Sequence, residues 1–133
     1  MIGRTREKIK EIGIIAVMHN DFPIQEIIEI GDALLASPIL VMAISLNSPS
    51  ALDTVTELRR RYGEHMLVGV TDVSTPTQVD AAWQRDAQFL IATDFIPTVV
   101  KAAHKRGLLI APGVRDETDV VAAITLGCRM VHY

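Results

Sequence analysis

The fold is indicated most clearly by residues 66–111, which read MLVGVTDVSTPTQVDAAWQRDAQFLIATDFIPTVVKAAHKRGLLIA. Three short apolar runs, at 66–70, 89–92 and 108–111, are separated by two segments that each begin with a proline and carry apolar residues at helical spacing. Near-continuous apolar runs are typical of parallel strands that are buried on both faces. The stretch therefore predicts successive strand–helix units of a parallel α/β fold.

The same alternation extends outward from this stretch in both directions. Apolar runs at 14–18, 39–44 and 129–133 predict three more strands, and helical patterns are found at 5–12, 24–35, 51–62, 76–85, 97–106 and 118–126. An open doubly wound sheet and a (βα)₈ barrel of the TIM type both fit this order. No GxGxxG or Walker A motif follows any predicted strand, which counts against a nucleotide-binding open sheet.

The length of 133 residues corresponds to one domain. We predict a single partial barrel domain over residues 1–133, with an opening helix at 5–12 followed by six of the eight βα units. The sequence stops at Tyr133, within an apolar run. The expectation is a truncated product, an incomplete gene model or a barrel that other chains complete.

Composition excludes several classes of protein. The chain is 49% hydrophobic and 22% charged, which excludes a disordered protein, and its net charge of −3 offers no basic field for a nucleic-acid partner. No apolar stretch reaches the ~18 residues of a membrane span. The single cysteine, Cys128, forms neither an internal disulfide nor a CxxC metal site, which favours a reducing compartment. The expected location is the cytoplasm.

Several segments together resemble one enzyme family. STPTQVDAA at 74–82, DAQFLIA at 86–92 and KAAHKRGLLIAPGV at 101–114 carry the likeness, with IIAVMHN at 14–20, VMAISLNSPSAL at 41–52 and PGVRDETDVVAAITLGCRMVHY at 112–133. The chain resembles the 2-keto-3-deoxy-6-phosphogluconate (KDPG) and 4-hydroxy-2-oxoglutarate (KHG) aldolases. The resemblance implies a (βα)₈ barrel, usually a homotrimer, that needs no cofactor. It also implies reversible aldol cleavage through a lysine Schiff base. The products include pyruvate, so a small 2-keto acid or keto-deoxy sugar acid is the expected partner.

The resemblance also assigns site residues, although several differ from the family pattern. The positions of the family's Schiff-base lysine, proton-shuttling glutamate and substrate-binding arginine are taken here by His132, Ala43 and Asn47. Asp72 replaces a threonine after the third strand. We therefore predict His132 and Asp72 as catalytic residues. The predicted substrate-binding residues are His19, Ser45, Asn47, Thr93, Asp94, Pro112 and Gly113.

The lysines do not supply the missing amine. The chain has four, Lys8, Lys10, Lys101 and Lys105, and all fall in predicted helices rather than at the carboxyl end of a strand. Only an amine condenses with a ketone to give the iminium electron sink of the family reaction. The family mechanism is therefore not available to these residues.

Three alternatives to that mechanism follow. A catalytically inactive relative would bind a keto acid or serve as a structural partner. A metal-assisted enzyme would hold a divalent ion at His19, Asp72, Asp94 and His132, because a metal can stabilise an enolate without lysine. A fragment with no function of its own would expose an open sheet edge and form oligomers or aggregates. Asp72 has a simpler interpretation as a turn residue before the helix at 76–85.

Overall fold

The structure is a computed structural model that describes residues 2–19 and 22–133. Six helices and five strands alternate along it. The helices are α1 Ile2–Ile12, α2 Ile24–Leu35, α3 Ala51–Tyr62, α4 Pro76–Gln84, α5 Pro97–Lys105 and α6 Glu117–Thr125. The strands are β1 Ala16–Met18, β2 Val41–Ser45, β3 Leu67–Thr71, β4 Phe89–Ile91 and β5 Leu109–Ala111. A short 3₁₀ turn, Gly63–His65, joins α3 to β3.

The order of the strands decides between the two architectures that the sequence allows. All pairings are parallel and the sheet runs β1-β2-β3-β4-β5, so each strand lies beside the next one along the chain. A doubly wound sheet reverses its strand order at a switch point, whereas a barrel adds strands in sequence order. The described strands therefore form part of a barrel wall, as predicted.

The two faces of the sheet bury different residues, which explains why the strand sequences are apolar throughout. In β2, Met42 and Ile44 face the layer of helices α2 to α5, while Val41 and Ala43 belong to a second apolar cluster on the concave side. Ile9 of α1 packs into that second cluster. The opening helix thus covers part of the concave side.

Two contacts show how local sequence fixes this arrangement. Thr75 and Gln78 form a capping box at the start of α4, where Pro76 occupies the first turn, and this ends the loop that follows β3. A Cβ atom at Gly69 would lie 2.6 Å from the ring of Phe89, so glycine lets the aromatic ring pack directly on the backbone of β3. The wall between β3 and β4 is close-packed as a result.

The ends of the chain differ from the sequence prediction. α1 begins at Ile2 rather than at residue 5. The strand predicted at 129–133 is reduced to a single bridge, in which His132 pairs with Gly113. His132 N donates to Pro112 O and His132 O accepts from Val114 N, each at 2.8 Å. Val131 and Tyr133 are 43% and 96% exposed. The run lacks the burial on both faces that stabilises an interior parallel strand.

No helix within residues 2–19 and 22–133 is long and apolar enough to cross a membrane.

Candidate functional site

The candidate site is centred on Asp72, the residue directly after β3. Its backbone φ is +64°, a left-handed conformation that aspartate adopts more readily than most non-glycine residues. The side chain is 18% exposed and therefore mostly enclosed by its neighbours. This backbone geometry holds a carboxylate at the carboxyl-end edge of the sheet, where barrel enzymes carry their active sites.

Both carboxylate oxygens of Asp72 accept hydrogen bonds from adjoining strand ends. Ser45 Oγ, at the end of β2, donates to Oδ2 at 2.5 Å, and Thr93 Oγ1, just after β4, donates to Oδ1 at 3.0 Å. Ser45 is 1% exposed and its hydroxyl oxygen also accepts from the backbone N–H of Asn47 at 3.1 Å. The carboxylate is thus fixed in position by two hydroxyl donors.

His19 lies against the same carboxylate. Its Nδ1 is 3.7 Å from Oδ2 of Asp72, and 66% of its side chain is exposed. The ring follows β1, so the residues of this group come from the ends of four successive strands. An imidazole whose Nδ1 faces a carboxylate leaves Nε2 as the atom that can accept a proton. We call His19, Ser45, Asp72 and Thr93 the Asp72 cluster.

Asp94 and His132 lie at the same edge but outside this cluster. Arg115 Nη2 donates to Asp94 Oδ1 at 2.5 Å, an ion pair that is largely exposed. His132 Nδ1 lies 3.4 Å from the carbonyl oxygen of Ala92. Each has a partner of its own, so the structure does not bring either side chain to Asp72.

The remaining predicted residues have mainly structural contacts. Pro112 O accepts from the backbone of His132. A Cβ at Gly113 would lie 1.8 Å from Thr93 O, so the two loops touch there. Asn47 contacts the cluster through its backbone N–H, which donates to Ser45 Oγ. Ala43 is fully buried in the apolar cluster on the concave side, where it pairs with Gly69, so the family's glutamate position holds no polar group.

The predicted metal centre is not assembled. Among residues 2–19 and 22–133, no group of three or more His, Cys, Asp or Glu side chains is placed to hold a metal ion. The four residues named for it divide into the His19–Asp72 pair, the Asp94–Arg115 pair and His132 on a backbone carbonyl. All four residues lie at one edge of the sheet because each is close to a strand end, but their side chains contact different partners.

The lysines lie where the sequence predicts. Lys8 and Lys10 are on α1, Lys101 and Lys105 are on α5, and all four are exposed. The carboxyl-end edge therefore offers imidazole, carboxylate and hydroxyl groups, and no lysine amine of this chain.

Two residues of the edge escaped the sequence analysis. Arg115 lies in the loop after β5, shortly after Pro112-Gly113. A basic residue so close to the carboxyl end of a predicted strand indicates a candidate site residue at that edge. Thr71 is 4% exposed at the end of β3, paired in register with Ser45. It lies one residue beyond the apolar run at 66–70, and only the register of β2 and β3 shows that it lies beside the serine.

These features define a class: a parallel barrel wall with an acid–base cluster at its carboxyl-end edge. The family model "KDPG and KHG aldolase" matches residues 5–133. The chain belongs to the KDPG/KHG aldolase family. This confirms the family resemblance of the sequence.

Individual relatives of known name agree with this family assignment. The chain is 24% identical over 119 residues to 2-dehydro-3-deoxy-6-phosphogalactonate aldolase of Escherichia coli K12, covering 90% of this chain and 58% of the relative. It is 27% identical over 127 residues to 2-dehydro-3-deoxy-phosphogluconate aldolase of Haemophilus influenzae, covering 96% and 59%. The chain therefore spans somewhat more than half the length of these relatives.

A solved structure supports the fold. The KDPG aldolase of Zymomonas mobilis ZM4, solved with 3-phosphoglycerate, matches with a TM-score of 0.89 at 20% identity, over 100% of this chain and 62% of the other. At this level of identity the match concerns the fold alone. It confirms that the five strands follow the path of the corresponding part of a TIM-type barrel.

Proposed function

We propose that the chain acts in pyruvate-releasing carbon–carbon cleavage of a 2-keto-3-deoxy sugar acid, with a small 2-keto acid bound at the Asp72 cluster. The observation that carries this proposal is the contact between His19 Nδ1 and Asp72 Oδ2 at 3.7 Å. The hydroxyls of Ser45 and Thr93 already hold that carboxylate in position. Together with membership of the aldolase family, it supplies an acid–base pair at the edge where barrel chemistry takes place.

The proposed chemistry is aldol cleavage through an enolate. Neutral His19 accepts the proton of the C4 hydroxyl at Nε2, and the O–H electron pair forms the carbonyl of the departing aldehyde. The C3–C4 bond breaks, its electron pair moves to C2–C3, and the C2 carbonyl becomes an enolate. Asp72 stabilises the imidazolium that forms and orients its ring, because its own position is fixed by two hydroxyl donors. Return of the proton to C3 gives pyruvate. No amine of this chain takes part.

His132 is retained as a second proton-transfer candidate. It is exposed at the same edge, and its Nδ1 lies 3.4 Å from the carbonyl oxygen of Ala92. The finer expectations from the resemblance also remain proposals: a homotrimer, a location in the cytoplasm, and no requirement for a cofactor.

The test is exchange of the C3 protons of pyruvate in heavy water, followed by NMR. This exchange needs no aldehyde, so it does not depend on the identity of the sugar acid. Exchange above the background rate is expected, with loss of at least about tenfold in His19→Gln and in Asp72→Asn. His65→Gln is the matched control, since His65 lies in the 3₁₀ turn before β3 at the other end of the sheet. It should exchange like the unmodified protein.

The outcomes separate the alternatives. Exchange that survives His19→Gln but disappears in His132→Gln would transfer the role to His132. Exchange abolished by a chelator would contradict a metal-free step. Saturable pyruvate binding without exchange would contradict the lyase and identify a keto-acid-binding protein, whereas no binding would contradict the proposed site altogether.

A further inference from the structure

A cavity of about 420 Å³ lies at the amino-terminal ends of the strands, opposite the Asp72 cluster. Its walls include Leu67 and Leu109 at the starts of β3 and β5, together with residues of α1 and of the ends of α3, α4 and α5. No residue of the Asp72 cluster lines it. Its volume falls within the ~300–1,000 Å³ of ligand pockets.

The charge of this cavity contrasts with that of the chain. Four basic side chains and two acidic ones line it, although the chain carries a net charge of −3. The basic residues are Arg4, Lys8, Arg59 and Arg106, and the acidic ones are Glu64 and Asp86. An anion is the ligand that such a balance attracts.

Two of the four cations are held by the protein itself. Arg59 donates to Asp86 O, Asp86 Oδ2 and Gly63 O at 3.0, 3.2 and 2.9 Å. Arg106 Nε donates to Asp80 at 3.0 Å, and its guanidinium lies 4.3 Å from the ring of Trp83. These two side chains are fixed in the wall, and Arg59 already pairs with the carboxylate of Asp86.

The other two cations are unsatisfied. Arg4 and Lys8 are exposed, and neither makes a hydrogen bond or ion pair with any residue in 2–19 or 22–133. They stand four residues apart on α1, which places them on one face of the helix, where like charges at this spacing destabilise it. An anion bound between them would remove that repulsion and receive donors from both.

Apart from Thr5 and Gln88, the uncharged side chains that line the cavity are apolar or aromatic. Leu67, Leu108 and Leu109 contribute to its lining beside Trp83, which is 43% exposed. Trp83 Nε1 has no hydrogen-bond acceptor among the residues that the structure describes. A ligand with both a charged group and a less polar body matches this combination.

We propose that this cavity binds a small phosphate monoester, with the phosphate at Arg4 and Lys8 and the organic part beside Trp83. A monoester carries close to two negative charges at neutral pH and three acceptor oxygens, which matches two free cations better than a monocarboxylate does. The volume suits a free small molecule rather than a phosphorylated protein segment. The proposal does not depend on the proposed lyase reaction.

Trp83 provides the measurement, because it is the single tryptophan of the chain. The protein is titrated with inorganic phosphate and with glycerol 2-phosphate at constant ionic strength, with tryptophan fluorescence and the indole N–H resonance as readouts. Arg4→Gln/Lys8→Gln is compared with Lys101→Gln/Lys105→Gln, which removes the same charge from α5. Circular dichroism checks that both variants fold.

A saturable change at Trp83 is expected with both probes. The dissociation constant should rise about tenfold in the α1 variant, equivalent to about 1.4 kcal/mol, and stay unchanged in the α5 variant. Pyruvate should leave the Trp83 signal unaffected. No saturable change, or equal weakening in both variants, would overturn the proposal, since equal weakening would mean attraction to overall charge only.

Discussion

The hydroxyl of Ser45 donates to the carboxylate of Asp72 at 2.5 Å and so joins the carboxyl ends of β2 and β3. Thr93 extends the same link to β4 through the second carboxylate oxygen. One side chain thus ties three neighbouring strand ends together while it faces His19. The Asp72 carboxylate therefore combines a structural role with the chemical role proposed for it.

Substitutions at Asp72 should separate these two roles. Asp72→Asn keeps a side chain that tolerates φ of +64° but weakens the hydroxyl bonds, and it should reduce the free energy of unfolding by about 1 kcal/mol. Asp72→Ala should lose about 1 kcal/mol more, because alanine is strained in the left-handed region. Both should slow pyruvate exchange by at least about tenfold. Urea denaturation measures the difference, and equal stability of the two variants would contradict the backbone argument.

The path of the barrel wall could be predicted because local rules and burial agree there. The run at 66–70 became β3, Leu67–Thr71, buried at every position, and Pro76 opened α4 as the proline rule predicts. The choice between barrel and open sheet could not be made from these signals, since both use the same units. It required the order of the strands in the sheet.

The partners of the site residues could not be predicted either. Strand ends indicated that Asp72, Asp94 and His132 share an edge, yet Asp94 pairs with Arg115 and His132 approaches Ala92. Those contacts depend on loop geometry, such as the positive φ of Asp72, which a strand–helix pattern does not specify. The sequence analysis placed the candidates at one edge, but the metal centre that it grouped from His19, Asp72, Asp94 and His132 is not assembled.

Gly113 should be among the least replaceable residues. A Cβ there would meet Thr93 O at 1.8 Å and Thr93 C at 2.3 Å, both backbone atoms that have no rotamer to change. Gly113→Ala should lower the free energy of unfolding by about 3 kcal/mol, measured by urea denaturation. Gly3→Ala is the matched control: nothing lies within 4 Å of its Cβ, and alanine favours the helix. A similar loss in both would refute the close contact.

The contact between α2 and α3 should make stability depend on acid. Hydrogen bonds from Arg61 and then Tyr62 lower the pKa of Asp32 below its ordinary value of 3.8. The folded state therefore binds the proton less readily than the unfolded chain. The resulting stabilisation is present above pH 3.8 and is lost as the pH falls through the lower folded pKa.

Denaturation across the acid range checks this dependence. Asp32→Asn and Arg61→Gln should each flatten the decline in stability below pH 4, because each removes one partner of the ion pair, whose N–O distance is 2.9 Å. An unchanged slope in both variants would show that the acid sensitivity arises elsewhere.

Cys128 should be a slow thiol. Burial raises its pKa above the ordinary value of 9.0, so little thiolate is present at neutral pH. Modification by a disulfide reagent at pH 8 should be about tenfold or more slower in the folded protein than in urea. Cys128→Ser should abolish the signal, and equal folded and unfolded rates would contradict the burial effect.

Restoring an amine at position 132 tests whether this edge receives the keto acid. His132 is fixed through its backbone at Pro112 and Val114, and its side chain is exposed at the carboxyl-end edge. His132→Lys should therefore form an imine with pyruvate that borohydride traps as a covalent adduct, detected by mass spectrometry. His104→Lys, on α5, is the control and should form none.

Adding Ala43→Glu to His132→Lys should be unfavourable to the fold. Ala43 is fully buried among apolar side chains, so a carboxylate there loses its hydration without a partner, at a cost of about 2 kcal/mol or more. The double variant should denature at a lower urea concentration than His132→Lys.

The trapping experiment has two outcomes that would contradict selective binding at this edge. Adducts in His104→Lys as abundant as in His132→Lys would mean unselective imine formation. No adduct in His132→Lys would show that pyruvate does not bind beside residue 132.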